Sequence, residues 1–211
     1  MEFRDHLFDE LNAPALVPSY ATGYPFTRIH MYQYLRAAAW SGLSGAIVEF
    51  GCFKGGTTAW LARVARSLNL DVPIIGFDSW SGFPARRSLL DMYSHPRCIF
   101  KDLAAVHAYL DPLGVELVPG DISETAATRL QDLPILLAFV DTDNYSPALA
   151  ALSALVDNVV PGGAIVFDHF ITTHEYIYTL GERIAGKTTL SDHGFFQIHG
   201  TGVFVRLPNR E

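Results

Sequence analysis

Cysteine is scarce: Cys52 and Cys98 are the two in 211 residues. They exclude a disulfide framework and match no metal-ligand spacing, so both read as buried fillers. Long apolar runs are missing as well, and no stretch approaches the ~20 residues of a membrane-spanning helix. Positive charge is short: 15 Lys and Arg against 22 Asp and Glu leave a net charge of −7. Such a surface offers no broad attractive field to a phosphate backbone or an anionic membrane, so nucleic acid and membrane are excluded as primary partners and small molecules are favoured. The opening "MEFRDHLFDELNAP" is acidic and polar where a secretory signal would be basic and then apolar, which predicts a cytoplasmic location. Repeats and low-complexity segments are absent.

The chain is 49% hydrophobic and 18% charged, which suits one domain, 1–211, with a substantial core. Short apolar or β-branched runs recur: "AIVEFG" (46–51), "VPIIGFD" (72–78), "VELVPGD" (115–121), "PILLAFVD" (134–141) and "GAIVFDH" (163–169). Between them lie "GGTTAWLARVARSL", "KDLAAVHAYL", "SETAATRLQDL" and "SPALAALSALVDNV", each long enough for about three helical turns. This alternation predicts an α/β doubly wound, Rossmann-like sheet, mostly parallel, with helices on both faces. The final "FFQIHGTGVFVRL" predicts an antiparallel hairpin turning at His199 to Gly202 and closing one sheet edge. Ahead of the core (44–207), residues 1–43 predict an irregular aromatic segment, a lid or packing, followed by an amphipathic helix in "RIHMYQYLRAAAW".

In open α/β sheets ligands sit beyond the carboxyl ends of the strands at the switch point, which directs attention to "EFGCFKGGTT" after the first strand. A dinucleotide loop needs a glycine where Phe53 stands, so a pyrophosphate would be crowded; no P-loop is present either. What remains is Glu49-x-Gly51-x-x-x-Gly55, with Asp78 ending the second strand. That pattern suits a nucleoside without phosphates, such as S-adenosylmethionine, with Asp78 accepting from ribose hydroxyls and Glu49 near the cationic amino-acid end. The plainer alternative is a tight strand-to-helix turn at Gly51, Gly55 and Gly56, with Asp78 as a cap.

A second feature is "FVDTDNYSP" (139–147), an apolar strand delivering Asp141 and Asp143 to its rim. Charges near a core are costly unless used. Helix capping would account for them, but Ser146 reads as the N-cap and Pro147 as the first helical residue, leaving both aspartates spare. "FDHF" brings Asp168 and His169 to the end of the strand expected alongside, so Asp141, Asp168 and His169 are expected to converge. In the next segment Thr172-x-x-Glu175 reads as a capping box, which makes Glu175 structural. Of the other histidines, His6, His30, His95, His107 and His199 stand in no motif, while His174 lies in a helix start and His193 in a polar loop near the last strands. Arg86 and Arg87 read as a solvated pair in the loop 84–97, which with the first 26 or so residues is expected to shape the acceptor pocket.

In order, "VEFGCFKGGTTAWLARV", "GFDSWSGFP", "VPGDISET", "FVDTDNYSPALAAL", "VPGGAIVFDHF" and the terminal "GTGVFVR" resemble the class I methyltransferases of the macrocin O-methyltransferase type, which modify sugars on antibiotics. The resemblance runs from about residue 44 to 206. It implies S-adenosylmethionine held by Glu49, Gly51, Phe53, Gly55, Thr57, Asp78 and Ser79, with Asp121 and Ile122 near the adenine. It also implies a divalent metal, usually magnesium, at Asp141, Asp168 and His169 that holds the acceptor hydroxyl. This chain departs from the family at His169, where an acidic residue is usual; imidazole suits zinc, iron or nickel better than magnesium. Asp143 is then the expected general base, with His169 as its rival and Asp141 beside both. The function expected is O-methylation of a hydroxyl on a small metabolite, by a homo-oligomer such as a dimer. The alternatives are a non-catalytic S-adenosylmethionine-binding accessory subunit and a nicotinamide-dependent oxidoreductase, the latter disfavoured by Phe53.

Overall fold

The computed structural model describes residues 25–170 and 177–208. His6, His174, the Thr172-to-Glu175 capping box and the N-terminal segment up to residue 24 lie outside the described residues. Among those described, no helix is long and apolar enough to cross a membrane.

In chain order the elements are α1 (Pro25–Ser41), β1 (Ala46–Phe50), α2 (Gly56–Ser67), β2 (Ile74–Asp78), α3 (Leu103–Leu110), β3 (Val115–Pro119) and α4 (Ile122–Leu130). They continue with β4 (Ile135–Val140), α5 (Tyr145–Leu155), β5 (Val159–Phe167), α6 (Leu180–Leu190), β6 (Phe195–Gln197) and β7 (Val203–Arg206). The strands form one seven-stranded sheet in the order β3-β2-β1-β4-β5-β7-β6. Strands β1 to β5 pair in parallel, while β7 runs antiparallel to both β5 and β6. The doubly wound sheet with its terminal hairpin is as the alternation predicts. One difference is length: α3 spans 8 residues, about two turns.

Burial explains why the strands read as near-continuous apolar runs. Every residue of β1 and β4 is buried, because helices cover both sheet faces. Ile47, Leu137 and Phe139 pack with Met31 and Leu35 of α1, Leu61 of α2 and Leu110 of α3. Val48, Phe50 and Ala138 face the other way, against Leu130 of α4, Leu152 of α5 and Ala185 of α6. The two-residue period of a strand thus feeds two separate cores. The chain winds from β1 outward to β3, then restarts at β4 on the other side of β1, so the switch point lies between β1 and β4.

Candidate active site

The loops after β1 and β4 touch at that switch point. Gly51 sits at φ +93°, and a Cβ there would stand 1.9 Å from the carbonyl oxygen of Asp141, so only glycine fits. The glycine loop hangs on β2 as well: the Gly51 and Cys52 amides donate to the Phe77 carbonyl. The Phe53 amide donates to Asp78 Oδ2 at 2.8 Å, and the Trp80 amide to its Oδ1 at 3.0 Å. Trp80 Nε1 closes the circuit on the Phe53 carbonyl. Burial raises the Asp78 carboxyl above its ordinary range, and the amides of Trp80, Phe53 and Ser79 oppose that rise. The loop glycine and the acidic strand end, 27 residues apart in sequence, are therefore one structural unit.

Glu49 is buried on β1 and accepts from the Thr58 hydroxyl, which also contacts Cys52 Sγ at 2.9 Å. Burial pushes its carboxyl well above the usual range; Thr58 opposes the shift, and Asp141, Asp78 and Asp168 add to it. Arg28 of α1, also buried, is in electrostatic contact with Asp168 and Glu49.

A cavity of about 610 Å³ opens over these strand ends. Its lining includes Glu49, Gly51, Phe53, Thr57, Asp78, Ser79, Asp121 and Ile122 together with Asp141, Asp143, Asp168 and His169. Gly55 does not line it: at φ +80° it is the N-cap of α2, packed on Leu110. Pro84, Tyr93, His95 and Arg97, from the loop expected to shape the acceptor pocket, form part of the wall.

Asp121 is already engaged. It caps α4 through the Ser123 amide at 2.9 Å and pairs with Arg87 at 2.7 Å, which also donates to Ser123 Oγ. Arg87 is thus a clasp between the cavity wall and α4, and not the free half of a solvated pair.

His169 Nε2 lies 3.0 Å from Asp143, 3.4 Å from Asp141 and 3.7 Å from Asp168. One ligand atom from each of Asp141, Asp143 and His169 lies within 4.8 Å of the others, the arrangement a cation would need. The sequence grouped Asp168 with them. Among the described residues the cation-sized group has Asp143 in that place, while Asp168, buried and in electrostatic contact with Arg28, still lines the cavity. Burial alone would push the His169 imidazole down, but hydrogen bonds to Asp141 and Asp143 and the charges of Asp141 and Glu182 raise it far above its ordinary value. Asp143 is raised too, by burial first, with His169 opposing.

Sequence reasoning missed two carboxylates. Asp91 caps α5 from a distance: its oxygens accept from the Ser146 amide at 2.8 Å and the Ser146 hydroxyl at 2.7 Å. Helix α5 begins at Tyr145, and the local N-cap Asn144 makes no side-chain cap bond. Asn144 instead clasps the backbone of Tyr93 in both directions, at 2.9 and 3.0 Å. Ser146 is therefore inside the helix, not its cap. Glu182 of α6 is the second: one oxygen accepts from the Thr142 amide at 2.7 Å and the Asp143 amide at 2.9 Å. Its pKa is pushed up to about 8 by burial, with His169 opposing. In "LGERIAGKTTL" it looks like any solvated helical glutamate, and no local signal marks it.

The model of the methyltransferase domain family matches residues 48–170, from β1 through the turn that carries His169. The chain belongs to this methyltransferase family. No curated protein sequence matches it. Among solved structures, this methyltransferase is similar to the calicheamicin methyltransferase CalS11 at 21% identity and a TM-score of 0.68, over 98% of this chain and 91% of that one. It is similar to the O-methyltransferase NovP at 18% identity and a TM-score of 0.72, over 90% and 84%. A third is the Podospora anserina methyltransferase PaMTH1, solved with S-adenosylhomocysteine bound, at 15% identity and a TM-score of 0.53, over 98% and 94%. At these identities the likeness is one of fold.

Proposed function

We propose that this methyltransferase is an S-adenosylmethionine-dependent O-methyltransferase of the macrocin type, acting on a hydroxyl of a small metabolite, a sugar or other secondary metabolite. The observation that carries the reading is a single cavity lined both by Asp78 and Glu49 and by the Asp141, Asp143 and His169 group. CalS11, similar in fold, is described as a TDP-rhamnose 3′-O-methyltransferase, which agrees with a hydroxyl acceptor.

Bound in this cavity, S-adenosylmethionine would supply an electrophilic methyl group on a sulfonium and leave as a neutral thioether. Asp78 keeps lone pairs for ribose hydroxyls beyond its two amide bonds. Glu49, a buried carboxyl raised by its surroundings, faces the cationic end of the donor, whose charge would favour its ionised form. Asp143 takes the proton of the acceptor hydroxyl as the oxygen attacks the methyl carbon. His169 lies between Asp141 and Asp143 and orients them. Rate comes chiefly from holding the two reactants in line.

Two carboxylates and an imidazole fit a divalent cation, and the imidazole widens the choice beyond magnesium. Asp141, Asp143 and His169 would hold it, and it would act as a Lewis acid that lowers the pKa of the acceptor hydroxyl. A homo-oligomer, with the N-terminal segment covering a neighbour's cavity, is part of the proposal.

The test is mass-spectrometric turnover of S-adenosylmethionine against a panel of hydroxylated metabolites, with and without chelator. Transfer to at least one hydroxyl is expected. Donor binding without transfer to any of them would point to a non-catalytic accessory subunit.

A further inference from the structure

Glu182 does not line the cavity, yet it has the most confined carboxylate near it, with no exposure to solvent. A buried carboxyl is retained at a cost unless its oxygens are used. Here a single oxygen, Oε2, does all the work: it accepts from two successive amides, Thr142 at 2.7 Å and Asp143 at 2.9 Å, with the Thr142 hydroxyl at 3.3 Å. Oε1 has no hydrogen-bond partner among the described residues.

Those two amides belong to the turn that presents Asp141 and Asp143. Asp143 has a left-handed backbone, φ +62°, a strained conformation for a residue with a side chain. Such a conformation persists only where its surroundings over-determine it. The N-cap of the helix that follows, Asn144, makes no side-chain bond to its own helix and is tied to Tyr93 and the Thr142 carbonyl, none of which holds the Thr142 or Asp143 amide. Two N–H groups converging on one acceptor prevent either peptide from rotating, and rotation would swing both carboxylates away from His169. Helix α6 reaches this depth through Gly181, where a Cβ would meet the Leu90 carbonyl oxygen at 2.3 Å and the Tyr145 amide nitrogen at 2.8 Å.

We propose that Glu182 is a positioning residue for methyl transfer: by accepting from the amides of Thr142 and Asp143 it holds the turn in the shape that brings Asp141 and Asp143 onto His169. The inference rests on the O-methyltransferase reading above.

Three variants of the full chain separate reach from the carboxyl group itself. Glu182→Gln keeps an accepting oxygen at the same distance. Glu182→Asp keeps the carboxyl group but withdraws it by one methylene, and Glu182→Ala removes both. Each is melted, titrated calorimetrically with S-adenosylmethionine, and assayed for kcat and acceptor KM against wild type. Glu182→Gln is expected within about threefold of wild-type kcat, while Glu182→Asp loses about 10–100-fold in kcat at unchanged donor affinity and acceptor KM, the usual scale for a supporting contact behind reactive groups. If Glu182→Ala does not fold, the Gln and Asp pair decides. An Asp variant as active as wild type, a Gln variant as slow as Asp, or losses that track the folded fraction would each overturn the role. Wild type without any transfer would instead defeat the underlying reading, and the inference with it.

Discussion

The Nε2 atom of His169 stands 3.0 Å from the Asp143 carboxylate and 3.4 Å from that of Asp141, so one imidazole bridges the two aspartates that end β4. The reading proposed above makes Asp143 the base, with His169 held between it and Asp141. Loss of a general base typically costs ~10²–10⁴ in rate. Asp143→Asn is therefore expected to bind donor normally and to stay that much slower even at saturating divalent cation, whereas Asp141→Asn is expected to recover as cation is added. Stopped assays across a cation series distinguish them. Full activity in chelator together with an inactive His169→Ala enzyme would make His169 the base instead.

Asp78 joins the glycine loop to the end of β2 and faces the cavity. Calorimetry on Asp78→Ala should show S-adenosylmethionine binding weakened by about 1–3 kcal/mol, the scale of lost hydrogen bonds to a charged acceptor. NAD should not bind either protein. Equal affinity for NAD, or undiminished donor binding by the variant, would remove the donor assignment.

Gly51→Ala tests the contact between the two site loops. A left-handed backbone and a carbonyl oxygen at 1.9 Å both oppose a Cβ. Backbone strain of this kind costs about 1–3 kcal/mol, and each kcal/mol lowers Tm by roughly 2–4 °C in a chain of this size. A lower melting temperature together with weaker donor binding is expected. An unchanged Tm would mean that the loops are not in contact as described.

Asp91 gives a pH dependence with a defined sign. Burial alone would raise its carboxyl, but the Ser146 amide and hydroxyl and the Arg87 and Ser88 amides outweigh burial and hold it below its ordinary value. A depressed native pKa stabilises the fold fully above the unfolded value, about 3.9, and that stabilisation is lost as pH falls through the lower native value. Thermal melts between pH 3 and 6, roughly bracketing that value, should show wild type losing more stability than Asp91→Asn on acidification. Parallel losses in the two proteins would exclude Asp91 as the remote cap of α5.

The strand and helix order was legible in the sequence because burial on both sheet faces makes each strand a continuous apolar run, and each helix between them keeps its own period. The strand ends were legible for the same reason: a charge that follows such a run, as at Asp78, Asp141 and Asp168, sits at the sheet's rim. Which of these side chains meet was decided by tertiary structure alone. Asp168 and His169 are adjacent in sequence, yet the turn after β5 buries one near Arg28 of α1 and sets the other against Asp143. Ser146 looked like a cap until α5 started two residues earlier and Asp91, 55 residues upstream, took over the role. Glu182 was invisible because a helical glutamate is solvated by default; only packing of α6 against α5 buries it, and burial is what gives a carboxylate oxygen reason to gather two distant backbone amides.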